Sequence, residues 1–260
     1  MTTIGFIGSG LISSQLARLS VAAGYDVVLS NSRTPDTLSE LVQELGPKAR
    51  AATSVEAAQD GDLVVLSIPF CAYTKLPVEA LSGKIVIDTM NYYPERDGDM
   101  PEVKTDVVTT SELVQNHLVG AKVVRALNNM DWVRLFTRAR PEGVSDRSAL
   151  PVAGDDAGAK AAVADYIEAI GYEAVDFGGL SDSWRSAPGT PVYVMPYVGP
   201  IPSGTDSMSK TERREWFLQN PGARVTASGV RAAIEKAERS DRMFGDVINL
   251  PGASIEFIPI

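Results

Sequence analysis

Short, unbroken apolar runs separated by longer helical stretches constrain this chain more than any other feature. The runs are Ile4-Gly5-Phe6-Ile7, Asp26-Val27-Val28-Leu29, Leu63-Val64-Val65-Leu66, Lys84-Ile85-Val86-Ile87, Lys122-Val123-Val124-Arg125, Leu150-Pro151-Val152-Ala153 and Glu173-Ala174-Val175-Asp176. Helical patterns fill the gaps at 11–23 (closed by Gly24), 37–45 (stopped by Gly46-Pro47), 78–81, 111–117 and 157–170 (closed by Gly171). A strand with one wet face alternates apolar with polar residues, whereas a strand apolar throughout needs cover on both faces. The pattern therefore predicts an α/β fold of Rossmann type, a doubly wound and mainly parallel sheet.

The pattern changes after Gly179. Between 186 and 210 periodicity fades and five prolines follow one another: Pro188, Pro191, Pro196, Pro200 and Pro202. Proline lacks the N–H and blocks regular helix. Helical patterns resume at 212–218 and 230–239, and the chain ends in an apolar, strand-like run at 254–260. The expected organisation is a sheet domain over 1–180 with an irregular and helical C-terminal appendage over 181–260.

Composition narrows the partners. A net charge of −9 on 260 residues argues against nucleic acid, whose phosphates need clustered Lys and Arg. No apolar stretch approaches the roughly 20 residues of a membrane helix, and Thr2-Thr3-Ile4 runs straight into the first strand pattern, so no signal peptide is expected. The single cysteine, Cys71, excludes an intramolecular disulfide and is expected as a small buried residue. These points predict a soluble, cytoplasmic protein with no membrane partner. No His/Cys/Asp/Glu set has metal-ligand spacing, so no metal is expected.

Gly8-Ser9-Gly10-Leu11-Ile12-Ser13 follows the first strand and opens the first helix, a G-x-G-x-x-S form of the dinucleotide fingerprint. Gly8 permits the tight turn. Gly10, without a Cβ, lets a pyrophosphate approach the backbone, where helix N–H groups and a partial positive charge meet it. The end of the second strand selects the cofactor. Enzymes using NAD carry an Asp or Glu there for the ribose hydroxyls. This chain has Ser30-Asn31-Ser32-Arg33, and a guanidinium among hydroxyl and amide donors suits a 2′-phosphate. NADP is expected over NAD.

In a doubly wound sheet the ligand crevice lies at the carboxyl ends of the strands. Ser67-Ile68-Pro69 follows one strand and is expected on the adenosine or pyrophosphate side. Asp88, Asn91, Tyr92 and Tyr93 lie at the end of the next: Asn91 is expected to hydrogen-bond the cofactor or substrate, the tyrosines either wall the pocket, donate a proton or simply pack, and in the packing case Asp88 orders the turn. Asn128 follows the Lys122–Ala126 run and is within reach of the nicotinamide ribose or carboxamide, or serves the turn. Tyr92, Tyr93 and Asn128 are the candidate catalytic residues. His117, the only histidine, ends a predicted helix, where a cation is favourable for reasons unrelated to catalysis.

The chain resembles the NADP-dependent reductases typified by coenzyme F-420:NADP oxidoreductase, F-420 being a deazaflavin hydride carrier; ferric reductase cytoplasmic domains share the N-terminal fold. The resemblance rests on Gly8-Ser9-Gly10, on Ser30-Asn31-Ser32-Arg33, on Val123-Val124-Arg125-Ala126-Leu127-Asn128, on Leu150-Pro151-Val152-Ala153-Gly154-Asp155-Asp156, and on Leu180-Ser181-Asp182-Ser183-Trp184-Arg185, which carries one extra residue. It spans residues 1–185. It implies hydride transfer from NADPH straight to a stacked acceptor, without a required side-chain acid or base. It further implies that Ser9, Gly10, Leu11, Ile12, Asn31, Ser32, Arg33, Ser67, Ile68, Pro69, Ala126 and Asn128 contact NADP, with F-420 or a flavin as co-substrate. The proline-rich segment departs from the family and leaves the acceptor open. Three functions stay in play: a flavin or deazaflavin reductase, a reductase of a small carbonyl or imine with Tyr92, Tyr93 or Tyr193 as proton donor, and a non-catalytic NADP sensor presenting Trp216, Phe217 and Phe244 to a partner. A homodimer is expected, with the C-terminal region shaping the acceptor site, an oligomer contact, or both.

Overall fold

The computed structural model describes residues 2–104 and 107–239. The expected strand at 254–260 and Phe244 lie outside the described residues. β1 (Thr3–Ile7) leads into α1 (Leu11–Ala22), β2 (Asp26–Ser30) into α2 (Ser39–Leu45), β3 (Ala49–Ala51) into α3 (Ser54–Asp60), and β4 (Leu63–Leu66) into α4 (Val78–Leu81). β5 (Ile85–Asp88) is followed by the single turns α5 (Pro94–Asp97) and α6 (Pro101–Lys104), then by α7 (Thr110–His117). β6 (Lys122–Ala126) and α8 (Trp132–Thr137) precede β7 (Ala149–Gly154), α9 (Ala157–Ala169) and β8 (Glu173–Asp176). After β8 come α10 (Met195–Val198), α11 (Lys210–Gln219) and α12 (Ala227–Glu235).

The strands form one eight-stranded sheet in the order β3-β2-β1-β4-β5-β6-β7-β8. Neighbours from β3 to β6 pair in parallel; β7 runs antiparallel to β6, and β8 runs parallel to β7. The order reverses direction at β1 and β4, which is where a doubly wound sheet opens its ligand crevice. Alternate residues of each strand feed the two apolar layers, as the pleat demands. In β4, Leu63 and Val65 join the layer containing Leu16, Leu135, Val163 and Ile234, while Val64 and Leu66 join the layer containing Leu81, Val114 and Leu118.

α1 and α9 are tied on the first face by a hydrogen bond between the Ser20 and Tyr166 hydroxyls, 2.8 Å apart. α3, α7 and α11 each begin at a reciprocal capping box, Thr53 with Glu56, Thr109 with Glu112, and Ser209 with Glu212. The chain beyond 181 shares the sheet's core. Val192, Tyr197, Val225, Val230 and Ile234 are buried in the first apolar layer, and the start of β7 is bonded from this region, Tyr197 Oη donating to Ala149 O and Ala149 N donating to Val225 O.

Candidate active site

The carboxyl ends of β1, β2 and β4 converge on Gly8. Its N–H donates to Ser30 O at the end of β2, and a Cβ built on Gly8 would lie 2.2 Å from Ser67 O at the end of β4. With φ of +104°, the position is closed to other residues twice over. The structure thus brings Gly8, Ser9 and Gly10 together with Asn31, Ser32 and Arg33 and with Ser67, Ile68 and Pro69.

Gly10 caps α1 under the opposite constraint: a Cβ there would meet nothing within 4 Å. The first turn of α1 has no side-chain cap and no acidic residue. Its backbone donors therefore face open space, which fits an anion. Leu11 is exposed and Ile12 half-buried beside this turn, and Ser13 packs with no exposure, as a small residue at the third fingerprint position must. At the end of β2, Asn31 Oδ1 accepts from Arg33 N at 2.9 Å and Asn31 Nδ2 donates to Thr37 Oγ1 at 2.9 Å, so the loop is pre-formed. Arg33 is exposed, and its guanidinium has no partner among the described residues. An uncapped helix start after β1 and an unpartnered guanidinium in the loop after the neighbouring β2 are the features that a 2′-phosphorylated dinucleotide requires.

The ends of β5 and β6 form the other half of the crevice. Asp88 and Arg125 are register partners across the two strands, and both are buried. They pair at 3.2 Å. Asp88 also accepts from Ser111 Oγ of α7 at 2.7 Å and from Met90 N at 2.9 Å. Arg125 donates to Met90 O and, at 2.8 Å, to Asn91 Oδ1. Asn128, 4% exposed, donates to Ser186 O at 2.7 Å and to Asn91 Oδ1 at 3.3 Å, and its own Oδ1 is buried without a partner. An orphaned acceptor at this end of the sheet suits an amide or hydroxyl donor from a ligand. Leu127, just before it, has φ of +61°, a conformation that bulky residues avoid.

The three tyrosines separate. Tyr92 is a core residue, contrary to the catalytic expectation. It is 1% exposed, packs edge-on to Phe70, donates its hydroxyl to Gly98 O at 2.8 Å and accepts from Met100 N. The Tyr93 and Tyr193 hydroxyls bond directly to each other. Burial pushes both phenols above their ordinary pKa, Tyr193 well above it. Ala126 is wholly buried in the first layer and offers no side-chain surface to the crevice.

Two further expectations fall away from the site. Cys71 is exposed rather than buried, because Phe70 takes the buried position as the chain turns into the 3-10 helix Phe70–Lys75. Partial burial and then the Asp97 carboxylate push its thiol pKa up, the direction opposite to that of an activated thiol. His117 ends α7 before β6 begins, with its ring edge-on to Tyr73 at 5.7 Å and, among the described residues, no hydrogen bond to the glycine turn or to Asn128. Phe217, offered above as a partner surface, is buried against Val133, Val194 and Val198 with the Arg134 guanidinium over its ring.

Residues 3–92 match the family model described as NADP oxidoreductase coenzyme F420-dependent. A hypothetical protein from Sinorhizobium meliloti has a solved structure 30% identical to this chain, with a TM-score of 0.64, covering 75% of this chain and 94% of its own. A candidate F420-dependent NADP reductase from Arthrobacter sp. FB24 is 25% identical with a TM-score of 0.58, covering 70% of this chain and 87% of its own. Residues 3–92 place the N-terminal part of the chain in the F420-dependent NADP oxidoreductase family. Metalloreductase STEAP3 of Rattus norvegicus is 26% identical over 195 residues, which are 74% of this chain. The chain spans only 37% of the length of that curated relative. As a member of an NADP-dependent oxidoreductase family, the chain carries the Rossmann-type sheet and glycine turn that the sequence predicted, and no helix among the described residues is long and apolar enough to cross a membrane. Sequence reasoning passed over Arg125 and Ser111, and read Asp88 as ordering the turn, which its bond from Met90 N does, but not as the partner of Arg125. The trace of that pair was present: opposite charges close two adjacent runs that are otherwise apolar, Ile85-Val86-Ile87-Asp88 and Val123-Val124-Arg125.

Proposed function

We propose that this protein passes a hydride from NADPH directly to a flavin or deazaflavin ring, held between the ends of β5 and β6 and the segment 186–198. In this reading residues 1–180 bind NADP and the chain beyond 181 shapes the acceptor site. The first turn of α1, with Ser9, Gly10, Leu11 and Ile12, receives the pyrophosphate after the tight turn at Gly8. Asn31, Ser32 and Arg33 hold the 2′-phosphate, Ser67, Ile68 and Pro69 wall the adenosine side, and Asn128 Oδ1 accepts a hydrogen bond from the nicotinamide half beside the Ala126 backbone. Bound NADPH supplies the hydride; the protein's work is to align two rings and exclude water.

The observation that carries this reading is the state of the tyrosines. Tyr92 is spent on the core, and Tyr93 and Tyr193 are hydrogen-bonded to one another, with burial raising their pKa values and making them weaker acids. Reduction of a carbonyl or imine wants a proton donor poised on the substrate, whereas hydride transfer between rings needs no side-chain acid. The sensor reading loses Phe217 as a partner surface because that ring is buried.

The test is NADPH oxidation with a panel of FMN, FAD, a deazaflavin, and small carbonyls and imines, by the wild type and by Tyr93→Phe. The variant should retain the ring-acceptor rate to within about fivefold. A loss of roughly 10²–10⁴ would instead assign Tyr93 to proton transfer and favour the carbonyl or imine reaction. NADPH binding with no oxidation by any acceptor would favour the sensor. A homodimer completes the proposal, and a protomer mass in light scattering would contradict that part.

A further inference from the structure

The segment 186–198 is fastened to the ends of β5 and β6 at several points. Ser186 O accepts from Asn128 Nδ2 at 2.7 Å and from Asn129 Nδ2 at 3.0 Å, and Val194 N donates to Asn129 O at 2.8 Å. Tyr193 Oη meets Tyr93 Oη and accepts from Asn91 Nδ2 at 3.4 Å. This docking is held against strain. Val194 has φ of +51° and ψ of −55°, and a 2.6 Å bond from Met195 N to Tyr193 O closes a tight three-residue turn around it. β-Branched residues avoid that region, and surrounding contacts must hold them there.

Behind these contacts stands Arg125. Its guanidinium is donor-only, and it spans Asp88 Oδ2, Met90 O and Asn91 Oδ1. Because Asn91 Oδ1 is taken by Arg125 and by Asn128 Nδ2, the Asn91 amide can adopt only one orientation. Its Nδ2 must then face Asn128 O, at 3.1 Å, and Tyr193 Oη.

We propose that Arg125 is a positioning residue: by fixing the Asn91 amide it docks Tyr193 and the segment 186–198 over the ends of β5 and β6, and so sets the geometry of the acceptor site. The kinetic consequence rests on the ring-acceptor reading above; the structural consequence does not. Lysine at 125 keeps a charge for Asp88, but a single ammonium cannot serve three oxygens in the plane of a guanidinium fork.

The test compares wild type, Arg125→Lys, Asn91→Ala and Ser111→Ala. Ser111→Ala weakens the Asp88 cluster without touching the bond from Arg125 to Asn91, and so controls for loss of stability. Hydrogen exchange without cofactor should quicken at 186–198 by roughly tenfold or more in Arg125→Lys and Asn91→Ala, and stay at the wild-type level in Ser111→Ala. With NADPH and a ring acceptor, Arg125→Lys should raise the acceptor KM about tenfold while changing the NADPH Kd by less than about threefold. Unchanged exchange at 186–198 in Arg125→Lys, or an equal rise in Ser111→Ala, overturns the proposal. If Arg125→Lys does not fold, Asn91→Ala decides on the same readout. If the exchange pattern holds but the wild type reduces no ring acceptor, the acceptor reading fails and the positioning role stands.

Discussion

Gly8 and Gly10 lie two residues apart and answer to different demands. Gly8 is squeezed against Ser67 O at positive φ, so its missing side chain serves the fold; Gly10 borders open space, so its missing side chain serves whatever approaches α1. Gly8→Ala should therefore lower the thermal midpoint sharply, by the several degrees that a loss of about 2–3 kcal/mol produces. Gly10→Ala should melt within about a degree of wild type, yet weaken NADPH binding about tenfold or more by crowding the pyrophosphate. Melting curves and calorimetry on the two variants check both halves. Fingerprint glycines were legible from sequence because their roles follow from backbone geometry alone. Arg125 and Asp88 were less so, since a charged residue closing an apolar run reads equally well as the start of a loop. Only the register between β5 and β6 makes the two a pair. Breaking that buried pair by Asp88→Ala should cost about 3–5 kcal/mol, because it leaves Arg125 buried without its counter-charge; denaturant unfolding measures it.

Among the elements, the inner parallel strands β1, β2 and β4 were legible because their runs are apolar on both faces and are followed by helical patterns. β3 was not singled out: it is a three-residue edge strand, Ala49-Arg50-Ala51, too short and too polar to show a pattern. The antiparallel course of β7 was equally invisible, since direction depends on the 22 residues between β6 and β7 and not on the strand's composition. The start of α7 is fixed by the Thr109–Glu112 capping box, one residue before the predicted start. The proline-rich stretch resisted reading for a different reason. Its conformation is set by partners distant in sequence, above all Asn91, Asn128 and Asn129, and by the strained turn at Val194.

At the scale of the whole molecule, five deeply buried tyrosines, Tyr93, Tyr166, Tyr172, Tyr193 and Tyr197, have pKa values raised chiefly by burial, as do the less buried Tyr25 and Tyr73. A raised folded-state pKa means that the native state holds the phenolic proton more tightly than the unfolded chain. The stability so gained is complete below the unfolded value near 10 and is lost as pH rises beyond it. Stability should therefore be indifferent to these groups from pH 6 to 9 and fall steeply in strong alkali, with tyrosinate absorbance appearing together with unfolding. Tyrosine ionisation well ahead of unfolding would contradict the burial of these side chains. The ring-acceptor rate should likewise show no tyrosine-dependent step between about pH 6 and 9. The account stands most directly on one titration: NADPH and NADH into the wild type and into Arg33→Ala, followed by calorimetry. It predicts NADPH binding at least tenfold tighter than NADH, with that preference lost in Arg33→Ala, as expected for one charge-assisted phosphate contact. Equal affinity for the two nucleotides, or a preference that survives Arg33→Ala, would contradict the assignment of the 2′-phosphate to the end of β2.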